Sequence, residues 1–268
     1  MSTSKRPLEG RIAIITGASA GIGAAVARRF ARDGAKVVLN ARRARAIDTL
    51  EKEIDDEQGV ETAMCVPGDC ADPRVIDLML QTAVDHFGTQ PDLFVVNAGR
   101  GLDGSVVTSD DSAWEELVRT NLLGAARLIR AAAEILTAPD QPDPASGDAW
   151  LERPRDIVVL GSTVGRHVSP FSSMYGSTKF AVNSLAEAAR RELASKGVRV
   201  SLIEPGVVTS EFQRVAGYDE DTFGAFMESI APVLVPEEIA ETIAFICSRP
   251  AHVAIGDVVI RGTRQEYP

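Results

Sequence analysis

Short runs of β-branched and other apolar residues alternate with longer amphipathic or alanine-rich segments, and this alternation constrains the fold more than any other feature. The runs predict seven strands: Ile12–Thr16, Lys36–Asn40, Thr62–Val66, Leu93–Val96, Ile157–Leu160, Val198–Ile203 and Val258–Ile260. The segments between them predict helices, among them Ile22–Asp33, Arg45–Gln58, Val75–Phe87, Trp114–Leu136, Met174–Lys196 and Pro236–Ser248. Continuous apolar strands separated by helices indicate a parallel sheet covered on both faces. We expect one α/β domain over residues 1–268, a doubly wound seven-stranded parallel sheet.

Composition and charge narrow the class of protein. With 268 residues, 45% hydrophobic and 25% charged, the chain has the make-up of an ordinary globular domain with a large buried core. The formal net charge of -10 argues against binding of nucleic acids or anionic membranes, because both attract positive charge. No apolar run approaches the roughly 20 residues that span a bilayer, and Met1–Gly10 lacks the apolar region of a signal peptide. The sequence therefore predicts a cytoplasmic protein without nucleic-acid or membrane partners.

The cysteines predict neither a disulfide framework nor a metal site. Cys65, Cys70 and Cys247 show no Cys-x-x-Cys spacing and have no histidine close by in the sequence. We expect three reduced thiols and no bound metal, as is usual in a reducing compartment.

Two segments interrupt the alternation of strands and helices. Ala138–Arg155 contains four prolines and predicts a surface loop inserted before the fifth strand. Val207–Pro232 follows the sixth strand and combines aromatic residues with Gly217 and Gly224. Such a segment at the carboxyl end of a strand predicts either a lid over a substrate or a packed helical hairpin, and the residues alone do not separate the two interpretations.

A glycine-rich turn joins the first predicted strand to the first predicted helix. Thr16-Gly17-Ala-Ser-Ala-Gly21-Ile22-Gly23 has the spacing Gly-x-x-x-Gly-x-Gly. Glycine at these points lets the backbone approach a pyrophosphate closely, and the helix that follows presents free N–H groups and its positive dipole end to the anion. The order strand, glycine turn, helix predicts the dinucleotide site of a Rossmann fold. Its members are Gly17, Ser19, Gly21, Ile22 and Gly23.

The end of the second predicted strand indicates which dinucleotide is bound. An acidic residue at this point would accept hydrogen bonds from the adenosine ribose and favour NAD. The chain instead reads Asn40-Ala41-Arg42-Arg43, so this position holds Ala41, and Arg42 follows it. A guanidinium binds a 2′-phosphate through paired, charge-assisted hydrogen bonds, and Ser19 can add a hydroxyl contact. We therefore expect NADP(H), with Arg42 as the residue that binds its 2′-phosphate.

Tyr175 and Lys179 lie four residues apart in a predicted helix, so their side chains share one helix face. Free tyrosine has a pKa of about 10, too high for ready proton exchange at neutral pH. A neighbouring ammonium group, helped by the positive nicotinamide of an oxidised cofactor, is expected to lower the pKa of Tyr175. Tyr175 would then give a proton to a carbonyl oxygen or take one from an alcohol, while Ser162, after the fifth strand, hydrogen-bonds the same oxygen.

These residues and their order along the chain resemble the short-chain dehydrogenase/reductase family. The matching motifs are Tyr175-Gly-Ser-Thr-Lys179 with Ser162, the glycine turn, Asn97-Ala98-Gly99 after the fourth strand, Asn121 in Thr-Asn-Leu-Leu-Gly, and Pro205-Gly206 after the sixth strand. The resemblance extends over roughly residues 8 to 262. It implies an enzyme acting on a CH–OH group, with a catalytic set of Asn121, Ser162, Tyr175 and Lys179.

The resemblance also implies roles for single residues. Lys179 would bind the nicotinamide ribose, and Asn121 would hold a water that relays protons to Lys179. The other implied cofactor contacts are Asp69 beside the adenine with its neighbour Cys70, Asn97, Ala98 and Gly99 along the ribose, Pro205 and Gly206, and Val208 and Thr209 at the carboxamide. On the residues alone, Asn121 could instead stabilise its helix, and Asp69 could be an ordinary turn residue.

The segment Arg249–Gln265 is similar to the end of a subfamily of NADP-dependent serine and 3-hydroxy acid dehydrogenases and clavulanate-forming aldehyde reductases, although Gly256-Asp257 and Gly262 depart from its pattern. This similarity implies reversible reduction of a small or medium aldehyde or 3-keto compound. Two alternatives stay open: a 3-oxoacyl carrier-protein reductase, and a non-catalytic NADP(H)-sensing protein on the same fold.

Substrate choice and assembly are less determined by the sequence. We expect the substrate to meet the region around Arg100, Arg166–Phe171 and the Val207–Pro232 segment. For Arg166 and His167 themselves, a structural role is favoured over one that faces the cleft. The family resemblance implies a dimer or a homotetramer, assembled through the two long helices that are rich in small residues.

Overall fold

Every predicted strand is present in the computed structural model, which describes residues 6–267 of the chain. The strands are β1 (Ile12–Thr16), β2 (Lys36–Ala41), β3 (Ala63–Pro67), β4 (Leu93–Val96), β5 (Arg155–Leu160), β6 (Val198–Pro205) and β7 (Asp257–Ile260). The helices include α1 (Gly21–Arg32), α2 (Ala44–Gln58), α3 (Pro73–Phe87), α4 (Trp114–Val118), α5 (Ala125–Leu136), α6 (Ser173–Leu193), α7 (Phe212–Ala216), α8 (Glu220–Ser229) and α9 (Pro236–Cys247). Part of the predicted polar stretch Met1–Gly10 lies outside the described residues.

The seven strands form one parallel sheet in the order β3-β2-β1-β4-β5-β6-β7. The direction of winding reverses between β1 and β4, so the loops that leave these two strands run to opposite faces of the sheet. In doubly wound sheets a ligand crevice opens at this switch point, outside the carboxyl ends of the strands. The expected single-domain Rossmann fold with seven parallel strands is therefore confirmed.

Successive residues of each strand pack into two cores on opposite faces of the sheet. In β1, Ala13 and Ile15 face the core formed with α1, α2 and α9. Ile12 and Ile14 face the core formed with α3, α5 and α6. Because both faces are covered, the strands are apolar throughout rather than alternating with polar residues.

The predicted helix Trp114–Leu136 is not continuous. A π-helical turn at Arg119–Gly124 separates α4 from α5. Its reason is visible at Asn121, which the wider turn directs inward and buries, and whose amide bonds the backbone of Arg100. Single π-turns inside α-helices often occur at functional positions.

Both irregular segments contain short helical turns. The 138–155 segment has 3-10 turns at Pro144–Ser146 and Ala149–Leu151. Its last residue, Arg155, is buried in β5 and donates hydrogen bonds to three backbone carbonyls, so it belongs to the sheet and not to the loop. The 207–232 segment contains α7 and α8. Within residues 6–267, no helix combines the length and apolarity needed to cross a bilayer.

Candidate active site

A cavity of about 990 Å³ lies at the carboxyl edge of the sheet. It is lined by residues from the loops that follow β1 to β6 and from the 207–232 segment. Ligand sites are commonly clefts of roughly 300–1,000 Å³. The cavity is therefore large enough for a dinucleotide together with a small second molecule.

The glycine turn after β1 packs tightly against the loop after β4. Gly17 has a φ of +69°, and a Cβ placed there would lie 2.7 Å from Nδ2 of Asn97. Asn97 Nδ2 donates to the carbonyl of Thr16 at 2.9 Å, which holds the two loops together. A Cβ on Gly23 would overlap the carbonyl oxygen of Gly17, so this glycine allows helix α1 to approach its own turn. Gly23 does not line the cavity.

Helix α1 presents its first turn to the cavity. Its N-cap residue is Ala20, which has no side-chain oxygen to accept from the first N–H groups. Gly21 and Ile22 at the start of the helix line the cavity. Free N–H groups at a helix N-terminus bind phosphate well, because the helix dipole adds to their hydrogen bonds. This part of the site fits the pyrophosphate of a dinucleotide.

The arginines after β2 take different partners. Arg43 Nη2 and Nε both donate to Ser19 Oγ, at 3.0 and 3.2 Å, and Nη1 pairs with Glu211 at 2.7 Å. Arg42 Nη1 pairs with Glu116 at 2.5 Å. Ala41, Arg42, Arg43 and Ser19 all line the cavity. Arg43 was not predicted as a site residue from the sequence, although its position directly after Arg42 could have indicated it.

Asp69 and Cys70 lie on the wall that follows β3. Asp69 Oδ1 accepts from the Ala71 N–H at 2.9 Å, and Oδ2 accepts from Arg119 at 2.8 to 2.9 Å. Asp69 is thus a turn residue and also lines the cavity, so the two interpretations from the sequence coexist. Cys70 is buried, and its sulfur would lie 3.2 Å from a Cβ on Gly124.

Ser162, Tyr175 and Lys179 converge on the cavity from the loop after β5 and from α6. Tyr175 is hydrogen-bonded to Ser162. Lys179 Nζ lies 5.9 Å from the centre of the Tyr175 ring and donates to the Leu160 carbonyl at 2.7 Å. Ala98 and Gly99 line the same part of the cavity. A phenol, an alcohol and an ammonium group therefore surround one point.

Burial controls the ionisation of this cluster. It raises the pKa of Tyr175 above the ordinary value of 10, the phenol of Tyr218 acts in the same direction, and the hydrogen bond with Ser162 opposes both. Burial also lowers the pKa of Lys179 from 10.5 to about 8. The lowering of the Tyr175 pKa expected from Lys179 and the positive nicotinamide stays a prediction for the cofactor-bound protein, since burial alone acts in the opposite direction. The phenol of Tyr175 is therefore protonated at neutral pH in this arrangement.

Asn121 does not line the cavity. Its Oδ1 accepts from the Arg100 N–H at 2.8 Å, and its Nδ2 donates to the Arg100 carbonyl at 2.9 Å and to Thr178 Oγ1 at 3.0 Å. Asn121 thus joins the π-turn to the loop after β4 and to helix α6. A Cβ on Gly99 would lie 3.5 Å from Asn121 Oδ1 and 3.7 Å from Lys179 Nζ, so both groups approach the same glycine.

The loop after β6 is held by the end of the chain. The Val207 N–H donates to Gln265 Oε1 at 2.9 Å, and a Cβ on Gly206 would overlap that side chain. Pro205, Gly206 and Val208 line the cavity. Thr209 does not, because its N–H donates to the Leu234 carbonyl at 2.8 Å and the chain there follows the Val208–Leu234 bridge.

The far end of the cavity contains several aromatic residues that the sequence located only as a segment. Tyr218 and Phe223 stack with ring centres 4.7 Å apart, and Phe212 lies 5.5 Å from Tyr175. Ser169, Phe171 and Asp103 complete this wall. Arg100, Arg166 and His167, from the sequence region expected to meet the substrate, do not line it. Arg100 pairs with Glu116, and Arg166 pairs with Glu204 and Asp257, so both guanidiniums are held by carboxylates elsewhere.

Comparison with known proteins gives a consistent result. The family model described as short chain dehydrogenase matches residues 11–221. The chain is 31% identical to the glycine betaine reductase of Emericella nidulans over 257 residues, which cover 96% of this chain but only 19% of that longer protein. Among solved structures it is similar to the closed form of a serine dehydrogenase complexed with NADP+, with 27% identity, a TM-score of 0.81 and 96% of each chain covered. It is also similar to a 3-ketoacyl-(acyl-carrier-protein) reductase from Brucella melitensis complexed with NADH, with 27% identity, a TM-score of 0.80, and 96% of this chain and 99% of that chain covered.

Proposed function

This chain belongs to the short-chain dehydrogenase/reductase family, and on that premise we propose that it is an NADP(H)-dependent oxidoreductase interconverting an alcohol and an aldehyde or ketone. The observation that carries the proposal is the convergence of Ser162, Tyr175 and Lys179 on a cavity whose other end holds a helix N-terminus and Arg43. A nicotinamide cofactor bound along this cavity would supply or accept the hydride.

Tyr175 acts as the general acid and base. The phenol, whose pKa burial raises, is protonated at neutral pH, and it gives its proton to a carbonyl oxygen as that oxygen gains charge. Ser162, already hydrogen-bonded to Tyr175, donates to or accepts from the same oxygen and holds it within reach. In the reverse direction Tyr175 reacts as the phenolate, which the ammonium of Lys179 stabilises, and it becomes a phenol by taking the alcohol proton.

Lys179 and Asn121 support this proton transfer. Lys179 has a pKa of about 8 because it is buried. It therefore carries a proton at pH 7 and can release that proton at a pH where enzymes commonly work. Asn121 shapes the loop after β4 and approaches Gly99 beside Lys179. We assign Asn121 to hold a water that passes protons to Lys179, and Lys179 to bind the nicotinamide ribose.

The preference for NADP(H) over NAD(H) is supported by charge at the β2 end of the cavity. No carboxylate occupies position 41, and the side chains of Ser19, Arg42 and Arg43 lie where an adenosine 2′-phosphate would be expected. Arg43 and Ser19 are already bonded to each other, which orders the pair before an anion binds. We propose that both arginines contribute, with Arg42 released from Glu116.

Substitution of Tyr175 by Phe tests the function directly. The substitution removes the proton donor and retains the ring. The rate at which the enzyme reduces carbonyl compounds with NADPH should therefore fall about 10²–10⁴-fold. NADPH should still bind, as measured by its fluorescence in a titration. Thr82→Val is the control, since it removes a hydroxyl that donates to the Leu78 carbonyl within α3, outside the cavity lining, and turnover should change by less than tenfold. Retained turnover in Tyr175→Phe would refute the assignment.

A 3-oxoacyl carrier-protein reductase is the second candidate, because one similar solved structure is of that kind. The net charge of -10 disfavours it, since an acidic carrier protein would be repelled. Turnover of a 3-oxoacyl thioester on its carrier protein, at a kcat/KM above that of free aldehydes, would favour it over the first proposal.

Two further proposals follow from the 207–232 segment and from the family. Helices α7 and α8 cover the aromatic end of the cavity, and we propose that this segment acts as a lid that opens for substrate and closes for reaction. We also propose a dimeric or tetrameric assembly, which analytical ultracentrifugation would test.

A further inference from the structure

We propose that the aromatic end of the cavity selects an apolar or aromatic carbonyl compound without a carboxylate, and that Asp103 on its wall repels anionic substrates. This inference rests on the proposed function and concerns the same site. It excludes the hydroxy acids and keto acids as preferred substrates, although the end of the sequence resembles dehydrogenases that use them.

The positive side chains of the cavity are concentrated at its nucleotide end. Among the lining residues that the structure describes, the cations are Arg42, Arg43, Arg214 and Lys179. Arg43 bonds Ser19 of the glycine turn. Arg214 is exposed and lies 4.0 Å from Glu211, the carboxylate that pairs with Arg43. Arg42 and Arg43 therefore belong with the nucleotide phosphates, and Arg214 on α7 has Glu211 as its carboxylate neighbour.

Lys179 does not provide a partner for a substrate carboxylate. It is 6% exposed, and its ammonium donates to the Leu160 carbonyl behind Tyr175. Its position near the tyrosine ring suits the reacting oxygen and not a distant anion. Arg100 and Arg166, from the sequence region expected to meet the substrate, are paired with carboxylates outside the cavity lining.

Negative charge is also present on the substrate side of the cavity. Tyr218 is hydrogen-bonded to Ser172, and its phenol lies close enough to Tyr175 and to Asp103 for their charges to affect one another. Asp103 lines the cavity, and its backbone N–H donates to the Ala216 carbonyl at 2.9 Å at the end of α7. These relations place Asp103 beside the end of α7 and on the same side of Tyr175 as Tyr218.

The remaining wall is aromatic. The rings of Tyr218 and Phe223 are nearly parallel, at 10°, and Phe226 packs on Phe223 with centres 5.8 Å apart. Phe212 packs against Tyr175 itself. Such a surface binds apolar and aromatic groups by burial and ring stacking. A carboxylate pressed against it would lose its hydration without gaining a hydrogen-bonded partner.

Pairs of substrates that differ in one charge test the proposal. The pairs are methyl 4-formylbenzoate with 4-carboxybenzaldehyde, and ethyl acetoacetate with acetoacetate, each assayed with NADPH and with NADH. We expect kcat/KM for the ester to exceed that for the carboxylate by at least tenfold in both pairs. Equal or greater kcat/KM for either carboxylate would overturn the proposal. If neither these compounds nor any other carbonyl compound is reduced, the proposed function fails and the inference with it.

Asp103→Asn separates the role of Asp103 from the intrinsic reactivity of the substrates. Both esters and both acids are measured with the wild type and with the variant, so differences in substrate reactivity cancel. The ratio of ester to acid kcat/KM should fall by about threefold, a modest effect because the carboxylate is exposed and screened by salt. Asp140→Asn is the matched control, since it removes the same charge from the exposed 138–155 segment. The control should leave the ratio unchanged. An unchanged ratio in Asp103→Asn would refute the repulsion by Asp103.

Phe223→Leu tests the aromatic wall. The substitution keeps an apolar side chain but removes the stacked ring, so KM for methyl 4-formylbenzoate should rise several-fold while KM for ethyl acetoacetate changes less. A uniform change in both substrates would indicate a merely structural role for Phe223 and would contradict the assignment.

Discussion

The two edges of the sheet treat buried charge in opposite ways. At the amino edge, Arg11 and Arg199 both pair with Asp156, at 2.8 Å and at 2.7 to 2.8 Å, and Arg199 also donates to four backbone carbonyls. Arg11 Nε lies 2.9 Å from Asp92, although it is not aligned for a hydrogen bond. At the carboxyl edge, Tyr175 and Lys179 are equally buried, yet no carboxylate within residues 6–267 pairs with the ammonium of Lys179.

The difference separates structure from function. At the amino edge, buried charges are paired with one another and join the ends of β1, β4, β5 and β6. The buried ammonium and phenol at the carboxyl edge can each form further hydrogen bonds. Burial displaces their pKa values from the ordinary ranges. Functional sites commonly contain ionisable groups with displaced pKa values, although such groups do not stabilise the fold.

The largest expected effect is at the amino edge. Asp156→Ala would leave two buried guanidiniums without their shared carboxylate, so the free energy of unfolding should fall by about 3–5 kcal/mol. Urea denaturation measures it. Glu134→Ala removes a carboxylate from the exposed Arg130–Glu134 pair and should change the free energy by less than about 0.5 kcal/mol. A loss of similar size in both variants would contradict the comparison of the two edges.

Lys179→Met should change the free energy of unfolding in the opposite direction. Removing a buried ammonium whose pKa is displaced to about 8 should raise the free energy of unfolding by roughly 2 kcal/mol at pH 7, after allowance for the lost bond to Leu160. Turnover should disappear in the same protein. A destabilised Lys179→Met variant would mean that Lys179 stabilises the carboxyl edge, as the paired arginines stabilise the amino edge.

The pH dependence of that gain follows from the same pKa. Below pH 8 the folded wild type carries a buried charge that is hydrated when the chain unfolds, so the advantage of Met is complete there. Between about pH 8 and 10.5 folded Lys179 is neutral while the unfolded side chain still binds a proton, so wild-type stability rises and the advantage shrinks. Denaturation of both proteins at pH 7 and pH 9.5 measures this. An advantage independent of pH would contradict the lowered pKa.

The smallest effect concerns the nucleotide end of the cavity. Arg43→Ala should raise the Kd for NADPH about tenfold, or about 1.4 kcal/mol, and leave the Kd for NADH nearly unchanged. Arg45→Ala is a matched control, since Arg45 is exposed and does not line the cavity. Equal weakening of both nucleotides would show that Arg43 does not recognise the 2′-phosphate.

Much of the fold was predictable because its causes are local. Strand positions followed from apolar runs, and the direction of the sheet followed from helices between them. The π-turn at Arg119–Gly124 was not predictable, because it depends on Asn121 bonding Arg100 and Thr178, which lie far apart in the sequence. The place of Arg155 in β5 was missed for a similar reason, since its partners are carbonyls of three separate segments.

The sequence by itself determined the family, the parallel sheet, and the residue types Ser162, Tyr175 and Lys179, because these depend on spacing and periodicity along the chain. Only the tertiary structure decided that Arg43 bonds Ser19 and that Arg166 turns away from the cavity. It also decided that the phenol of Tyr175 is buried, which raises its pKa. The physical reason is that partners and desolvation are set by groups distant in sequence, which only folding brings together.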